Sequence, residues 1–172
     1  MTSDADPTTP ATTSTAPGAD AEPARGRIVV GVDDSEQAAA ALRWALAEGV
    51  LRQATVEVVH SWSPPMSAMP FGATLRLRAH EGEIDAVARQ AVDEIVDAAL
   101  AEMDDQPPEV LRTILPGAPA LTLVEVAESA DMLVVGSHGR TGLSRLVVGS
   151  VAMACVQHAP CPVVVIRRPS ED

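Results

Sequence analysis

Five stretches of the chain are short, rich in Val, Ile and Leu, and bounded by Gly, Pro, Asp or Ser: residues 28–33, 56–62, 110–115, 131–136 and 162–166. Short runs with consecutive rather than alternating apolar residues predict strands covered on both faces of a sheet. Between them the period changes. Ala38, Leu42, Ala45, Leu46 and Gly49 recur at helical spacing behind Ser35, an N-cap residue before Glu36, so residues 36–49 should form an amphipathic helix. Ile84, Val87, Ala88, Ala91, Ile95 and Ala98 mark a longer helix ending near Met103, with Pro107 and Pro108 beyond it. Leu121, Val124 and Ala127 place a third helix over 119–129, and a short fourth runs from Ser150 to His158. Three prolines within residues 63–72 break the pattern and predict a loop that could act as a flap; its Met66 and Met69 suggest no ligand role.

Strands that alternate with helices call for parallel pairing and right-handed crossovers. The expected fold is therefore α/β: a five-stranded, doubly wound parallel sheet in a single domain over residues 25–168, with the last strand at an edge. Residues 1–24 are of another kind, holding Thr, Pro, Ala and four acids (Asp4, Asp6, Asp20, Glu22) but no Val, Ile, Leu or aromatic residue. Such a stretch cannot bury enough apolar surface to offset its ordering entropy, so a disordered N-terminal tail is expected. It reads as a solubilising extension, or as a phosphorylatable one through Thr8, Thr9, Thr12 and Thr13. Residues 169–172 form a C-terminal tail.

Charge narrows the chemistry. The 172 residues carry 24 acids against 12 bases, a formal net charge of −12, and every base is Arg. Without a lysine there is no Walker A phosphate loop, no receiver-domain switch and no Schiff base. The acidic balance argues against a nucleic-acid partner, which needs a basic footprint. No apolar run approaches the ~20 residues of a membrane-spanning helix, and the tail lacks a secretory signal's basic start and apolar core. A cytoplasmic protein without membrane contact is expected. Cys155 and Cys161 are the only cysteines. Two are too few for a disulfide framework or a four-ligand metal site, so both should be reduced and packed as small apolar side chains.

Ligands of open α/β sheets bind beyond the carboxyl ends of the strands, where the strand order reverses. Two strand exits carry unusual residues: Gly31, Val32, Asp33, Asp34 and Ser35 after the first, and Gly136, Ser137, His138, Gly139, Arg140, Thr141 and Gly142 after the fourth, running on to Gly149 and Ser150. If the first and fourth strands are neighbours, both exits open into one crevice. Gly136 and Gly139 would keep Cβ atoms away from a bulky anion. Gly149 and Ser150 open a helix whose free N–H groups favour phosphate, and Arg140 and Arg145 could supply cationic charge. His138 could reach a phosphate or bond the local backbone. Asp33 could meet a ligand or cap a turn, while Asp34 is read as solvated or as a cap. The acidic pair suggests a phospho-receiver pocket, but the third strand ends in Leu115, Pro116 and Gly117 with no acceptor aspartate. His60, Trp44 and Trp62 are read as packing residues, although Trp62 lies close enough to the exit to stack on a base.

These residues carry a family resemblance. The segments VVGVDDS, VVHSW, DMLVVGSHGRTGLSRLVVGS and HAPCPVVVIR, within residues 27–168, resemble the universal stress protein family. The spacing of Gly136, Gly139, Gly149 and Ser150 is similar to that family's ATP-binding pattern of Gly, two residues, Gly, nine residues, Gly, Ser. The resemblance implies an adenine-nucleotide-binding α/β fold and ATP with Mg2+ as ligand. By it Asp33 would contact ribose, and the backbone at Gly31, Val32 and Ser61 would border the adenosine. Gly136 and Gly139 would lie against ribose and the α-phosphate, and Gly149, Ser150 and Val151 would hold the outer phosphates. Ala152 departs from members that place a hydroxyl there, and so removes one phosphate contact. The resemblance also implies a homodimer through the last strand, Val163 to Ile166, whose apolar edge invites a second chain.

No paired histidines, lysine or evident general base faces the expected phosphates. The expected activity is regulatory nucleotide sensing in a stress response, with at most slow ATP hydrolysis or self-phosphorylation. Two alternatives stand beside it: an interaction module whose glycine loop is structural, and a cyclic-AMP binder using the same crevice.

Overall fold

The run of β-branched residues at Ile28 forms the first strand of a computed structural model, which describes residues 26–62, 81–104, 106–139 and 148–167. In chain order the elements are β1 (Arg27–Gly31), α1 (Glu36–Arg52), β2 (Thr55–Trp62), α2 (Glu81–Ala101), β3 (Val110–Pro116), α3 (Pro119–Val126) with a 3-10 turn at Ala127–Ser129, β4 (Met132–Gly136), α4 (Ser150–His158) and β5 (Val163–Ile166). The expected tails, the 63–72 loop, Arg140 and Arg145 lie outside the described residues.

The strands form one sheet in the order β3-β2-β1-β4-β5, with every pairing parallel. β1 is central, and the order reverses beside it. Its consecutive apolar residues serve opposite faces. Ile28 and Val30 join a core cluster with Leu42, Leu46, Val92 and Val96 of α1 and α2. Val29 joins a second cluster with Leu123, Leu133, Val135 and Cys155, under α3 and α4. This is the expected five-stranded α/β sheet with both faces covered.

Two helix ends differ from the periodicity. α1 continues past Gly49 to Arg52 and closes on Gln53 in the left-handed conformation, φ 54°. Gly49 is not a stop signal: a Cβ there would stand 2.6 Å from Val56 Cγ2, so its bareness lets α1 press against β2. The 119–129 helix tightens at its end, where the Ala130 N–H bonds the Ala127 carbonyl at 3.0 Å.

Among the described residues, one charged group breaks the apolar interior. Glu57 of β2 is 7% exposed and is paired with Val29 in the register, on the α3 face. Arg27 Nε donates to its Oε2 at 2.8 Å, and Thr113 Oγ1 donates to Oε1 at 2.7 Å. The same guanidinium reaches the Val126 carbonyl at 3.2 Å and the Ser129 hydroxyl, tying the end of α3 to the base of the sheet.

Cys155 is fully buried and Cys161 packs at the edge of the same cluster. Both thiols are free. Burial, and next the neighbouring Cys161, push the Cys155 thiol up to about 11. A folded-state value above the ordinary one means the native fold keeps a proton that the unfolded chain releases. Stability should therefore be intact below pH 9 and fall as pH rises from there towards 11, as denaturant midpoints across that range would register. At pH 8 iodoacetamide should alkylate Cys161 slowly and Cys155 only after unfolding, read by mass spectrometry.

Candidate functional site

β1 and β4 pair over only three positions, Ile28 with Met132, Val29 with Leu133 and Val30 with Val134. Beyond them Gly31 and Gly136 have no partner across the seam, so a crevice opens at the carboxyl ends where the strand order reverses. The described parts of the two exits, residues 31–35 and 136–139, follow these strand ends.

On the β1 side the chain turns into α1 through Asp33. Asp33 Oδ1 accepts the Ser35 N–H at 3.0 Å and the Ser35 hydroxyl, while Ser35 Oγ accepts the Ala38 N–H at 3.1 Å. Ser35 is thus the N-cap the sequence indicates, and Asp33 holds the cap from behind. The second carboxylate oxygen faces the opposite lip: a Cβ on Gly139 would lie 2.7 Å from Asp33 Oδ2. Asp33 and Gly139, about a hundred residues apart, meet across the seam.

The glycines also have a reason within the protein. A Cβ on Gly136 would strike the Gln37 backbone carbon at 2.9 Å, and one on Gly31 would strike Leu123 Cδ1 at 2.8 Å. A Cβ on Gly149 would sit 3.2 Å from the Ser137 carbonyl oxygen. Each contact is with the protein itself. Gly136 lets the first turn of α1 settle on β4, and Gly139 leaves room for the Asp33 carboxylate. Gly136→Ala should accordingly destabilise the fold by about 1–3 kcal/mol through overpacking, measured by denaturant unfolding.

α4 begins at the far side of the crevice. Gly149 is its N-cap, with φ −62° and ψ 156°, and no side chain caps the helix. The Gly149 N–H bonds the Ser137 carbonyl at 2.8 Å, and its own carbonyl accepts the Met153 N–H at 2.9 Å. The N–H groups of Ser150, Val151 and Ala152 belong to the first turn, where an α-helix offers no internal acceptor. Ser150 is exposed, Val151 half-buried and Ala152 buried.

The remaining sequence-derived residues are already engaged. The Val32 N–H donates to the Val59 carbonyl at 2.9 Å, and the Val32 carbonyl meets His60 Nδ1 at 2.9 Å. Ser61 Oγ donates to the Gly117 carbonyl at 2.8 Å and lies 3.3 Å from Thr122 Oγ1, fastening β2 to the turn before α3. Trp62 packs on the α1–α2 cluster and its indole N–H donates to Asp85 of α2 at 2.7 Å, so it serves packing, as does Trp44. His138 Nδ1 is 3.0 Å from Ser137 Oγ. Its Nε2 is buried without a hydrogen-bond partner among the described residues.

Sequence reasoning missed Ser137. It is 3% exposed, its N–H donates to the Ile166 carbonyl of β5 at 2.8 Å, and its carbonyl holds Gly149. A lone serine after a glycine carries no signal of that junction. Among the described residues no group of three His, Cys, Asp or Glu converges as a metal site would, and no helix is long and apolar enough to cross a membrane.

The same architecture recurs in known proteins. The Universal stress protein family model matches residues 24–167. Universal stress protein Rv2623 of Mycobacterium tuberculosis is 34% identical over 146 residues, which cover 81% of this chain and 47% of that protein. The chain thus spans about half the length of the curated relatives it matches. Among solved structures, universal stress protein UspA from Lactobacillus plantarum superposes with a TM-score of 0.70 at 26% identity, over 85% of this chain and all of that one. The universal stress protein from Archaeoglobus fulgidus in complex with dAMP gives 0.52 at 26% identity, over 84% of this chain and 99% of that one. A parallel sheet whose seam opens between β1 and β4, with a sequence matched from end to end of that sheet, leaves one conclusion: the chain belongs to the universal stress protein family.

Proposed function

We propose that this protein binds an adenine nucleotide, ATP with Mg2+, in the β1–β4 crevice and acts as a cytoplasmic regulatory sensor rather than as an efficient enzyme. The observation that carries the reading is the pairing of Asp33 with an uncapped helix start at one switch-point seam. A carboxylate oxygen aimed across the opening suits a ribose hydroxyl. The first-turn N–H groups of α4 suit phosphate oxygens through hydrogen bonding and the helix dipole. Gly31, Val32 and Ser61 would border the adenosine, Gly136 and Gly139 would lie against the ribose and first phosphate, and His138 would reach a phosphate. Gly149, Ser150 and Val151 would hold the outer phosphates. The dAMP held by the Archaeoglobus fulgidus relative supports a nucleotide of this class.

Calorimetric titration of nucleotide-stripped protein with Mg2+·ATP, and with cyclic AMP in parallel, tests the proposal. Saturable ATP binding supports it. A preference for cyclic AMP replaces the ligand but keeps the site. No binding of either overturns it in favour of an interaction module whose glycines serve packing alone, a role the contacts of Gly31 and Gly136 already fill.

The second part of the proposal is a homodimer through β5. The Leu133 N–H bonds the Pro162 carbonyl and the Ser137 N–H bonds the Ile166 carbonyl. By the alternation of a parallel ladder, Val164 and Ile166 spend their backbone groups on β4, while those of Val163 and Val165 point outward. Side chains alternate too: Val164 and Ile166 pack into the α1 cluster, so charges there would damage the core. Val165→Pro removes an outward donor without touching the β4 ladder. It should turn dimer into folded monomer in sedimentation analysis, and an unchanged dimer would overturn the pairing.

A further inference from the structure

The two helical layers differ in charge. α1 and α2 carry acids and arginines along their lengths. α4 carries no Asp, Glu or Arg, and Glu125 is the one charged residue of α3. The chain as a whole has a formal net charge of −12, so this layer stands apart. Apolar side chains take its exposed positions instead. Leu121 of α3 is 67% exposed, and Met153 and Val156 of α4 are 43% and 54% exposed. Leu121 and Met153 each stand two residues before a buried anchor of the second core cluster, Leu123 and Cys155. Two residues turn about 200° round a helix, so both side chains point away from the sheet. α3 and α4 pack side by side, which puts these residues on one outer surface. On the other layer Leu51 of α1 is also exposed, but it stands beside the Arg52–Glu48 ion pair.

Charge decides what such a surface can meet. A membrane-seeking helix carries Lys or Arg on its polar face, and neither α3 nor α4 has one. Copies of this acidic chain repel each other wherever carboxylates face carboxylates. On the α3–α4 surface they meet with the least repulsion, and apolar side chains on both sides supply the attraction. We infer that the outer face of α3 and α4 is a self-association surface, on which a second copy of this chain docks face to face about a two-fold axis. The contact uses side chains rather than strand edges, and it is independent of both the nucleotide site and the β5 pairing. Three apolar side chains per copy bury well below the roughly 800 Å² per partner of a standard interface. The association is therefore weak and reversible, with a dissociation constant on the order of 100 μM. It joins preformed units as the protein becomes concentrated.

Sedimentation velocity of the full chain between about 10 μM and about 1 mM, a range that brackets the expected constant, tests this. The mass of the wild type should double across that range. Leu121→Asp combined with Val156→Glu sets carboxylates of the two copies against each other and should abolish the doubling. Both sites are exposed, so circular dichroism and the thermal midpoint should stay those of the parent. Raising salt from about 50 to about 500 mM should strengthen the wild-type association, because screening relieves repulsion between acidic copies and leaves apolar contact intact. Val165→Pro, which removes the β5 pairing, should still double, from monomer to dimer. Association that salt weakens overturns the inference, as does a charged double variant that associates like the parent. Loss of the doubling in Val165→Pro also overturns it, by tracing the association to β5. So does a mass that is constant with concentration, and co-sedimentation with phosphatidylcholine vesicles would then give the face to a lipid surface. A wild type that doubles from monomer, beside a charged variant that stays monomeric, overturns the β5 pairing and supports this surface.

Discussion

Replacing Glu57 by alanine should cost the fold about 3–5 kcal/mol, the range for removing one partner of a buried ion pair. The magnitude follows from what stays behind. The Arg27 side chain is 26% exposed, against 9% for Glu57, and among the described residues its guanidinium would keep the Val126 carbonyl and Ser129 hydroxyl as partners. Thr113 Oγ1 would lose its acceptor as well. Against a total stability of roughly 5–15 kcal/mol, such a loss leaves a marginal protein. Thermal and urea unfolding measure it directly. Arg27→Met combined with Glu57→Leu should recover most of the loss, because a buried pair exchanged for apolar groups of similar volume is close to neutral. If Glu57→Ala unfolds within about 1 kcal/mol of the parent, the pair is solvated in solution and the network contributes no more than a surface bridge does.

Gly149→Asp should abolish measurable ATP binding while the sheet stays folded. A new carboxylate would stand at the cap position of α4, where it can accept the first-turn N–H groups that a phosphate would otherwise use. It would also place a negative charge against the incoming anion. The new Cβ would fall 3.2 Å from the Ser137 carbonyl oxygen, a tight contact that a few tenths of an ångström of adjustment relieves. As an N-cap, aspartate should stabilise the isolated helix, so lost binding with unchanged or raised thermal stability is the expected combination. Retained ATP affinity, measured by titration calorimetry, would move the phosphates away from α4. Because aspartate improves the cap, this substitution separates ligand binding from folding better than Gly136→Ala does.

The elements were legible because burial on two faces leaves a strong mark. Residues 28–30 are consecutive and apolar since α1 and α3 cover opposite sides of β1, and α4 begins and ends at the residues its pattern predicts. The crevice was legible conditionally: both exits carry turn and glycine chemistry, but periodicity holds no information about which strands are neighbours. What the sequence hid was contact at long range. An acid inside β2 reads as a surface residue until Arg27 and Thr113 are seen to close on it. Each glycine of the loop is compatible with a ligand's approach. In the fold, Gln37, Asp33 and Ser137 occupy the space a Cβ would take. Ser137 is the clearest case, since its backbone joins Ile166 and Gly149, partners that no local pattern encodes.

The central place of β1 also governs the order in which the molecule can be assembled. β1, β2 and β3 are joined by crossovers close in sequence, and their pairings can form from the first part of the chain alone. The lips of the crevice cannot. Asp33 and Gly139, like Arg27 and the Asp131 carboxylate that accepts its N–H at 2.7 Å, lie about a hundred residues apart. Loop-closure entropy makes such contacts slow to form, and a growing chain has no second lip until β4 has emerged. A ligand that needs both lips therefore binds only once β4 is in place, and adds its stabilisation at a seam that local contacts alone cannot close.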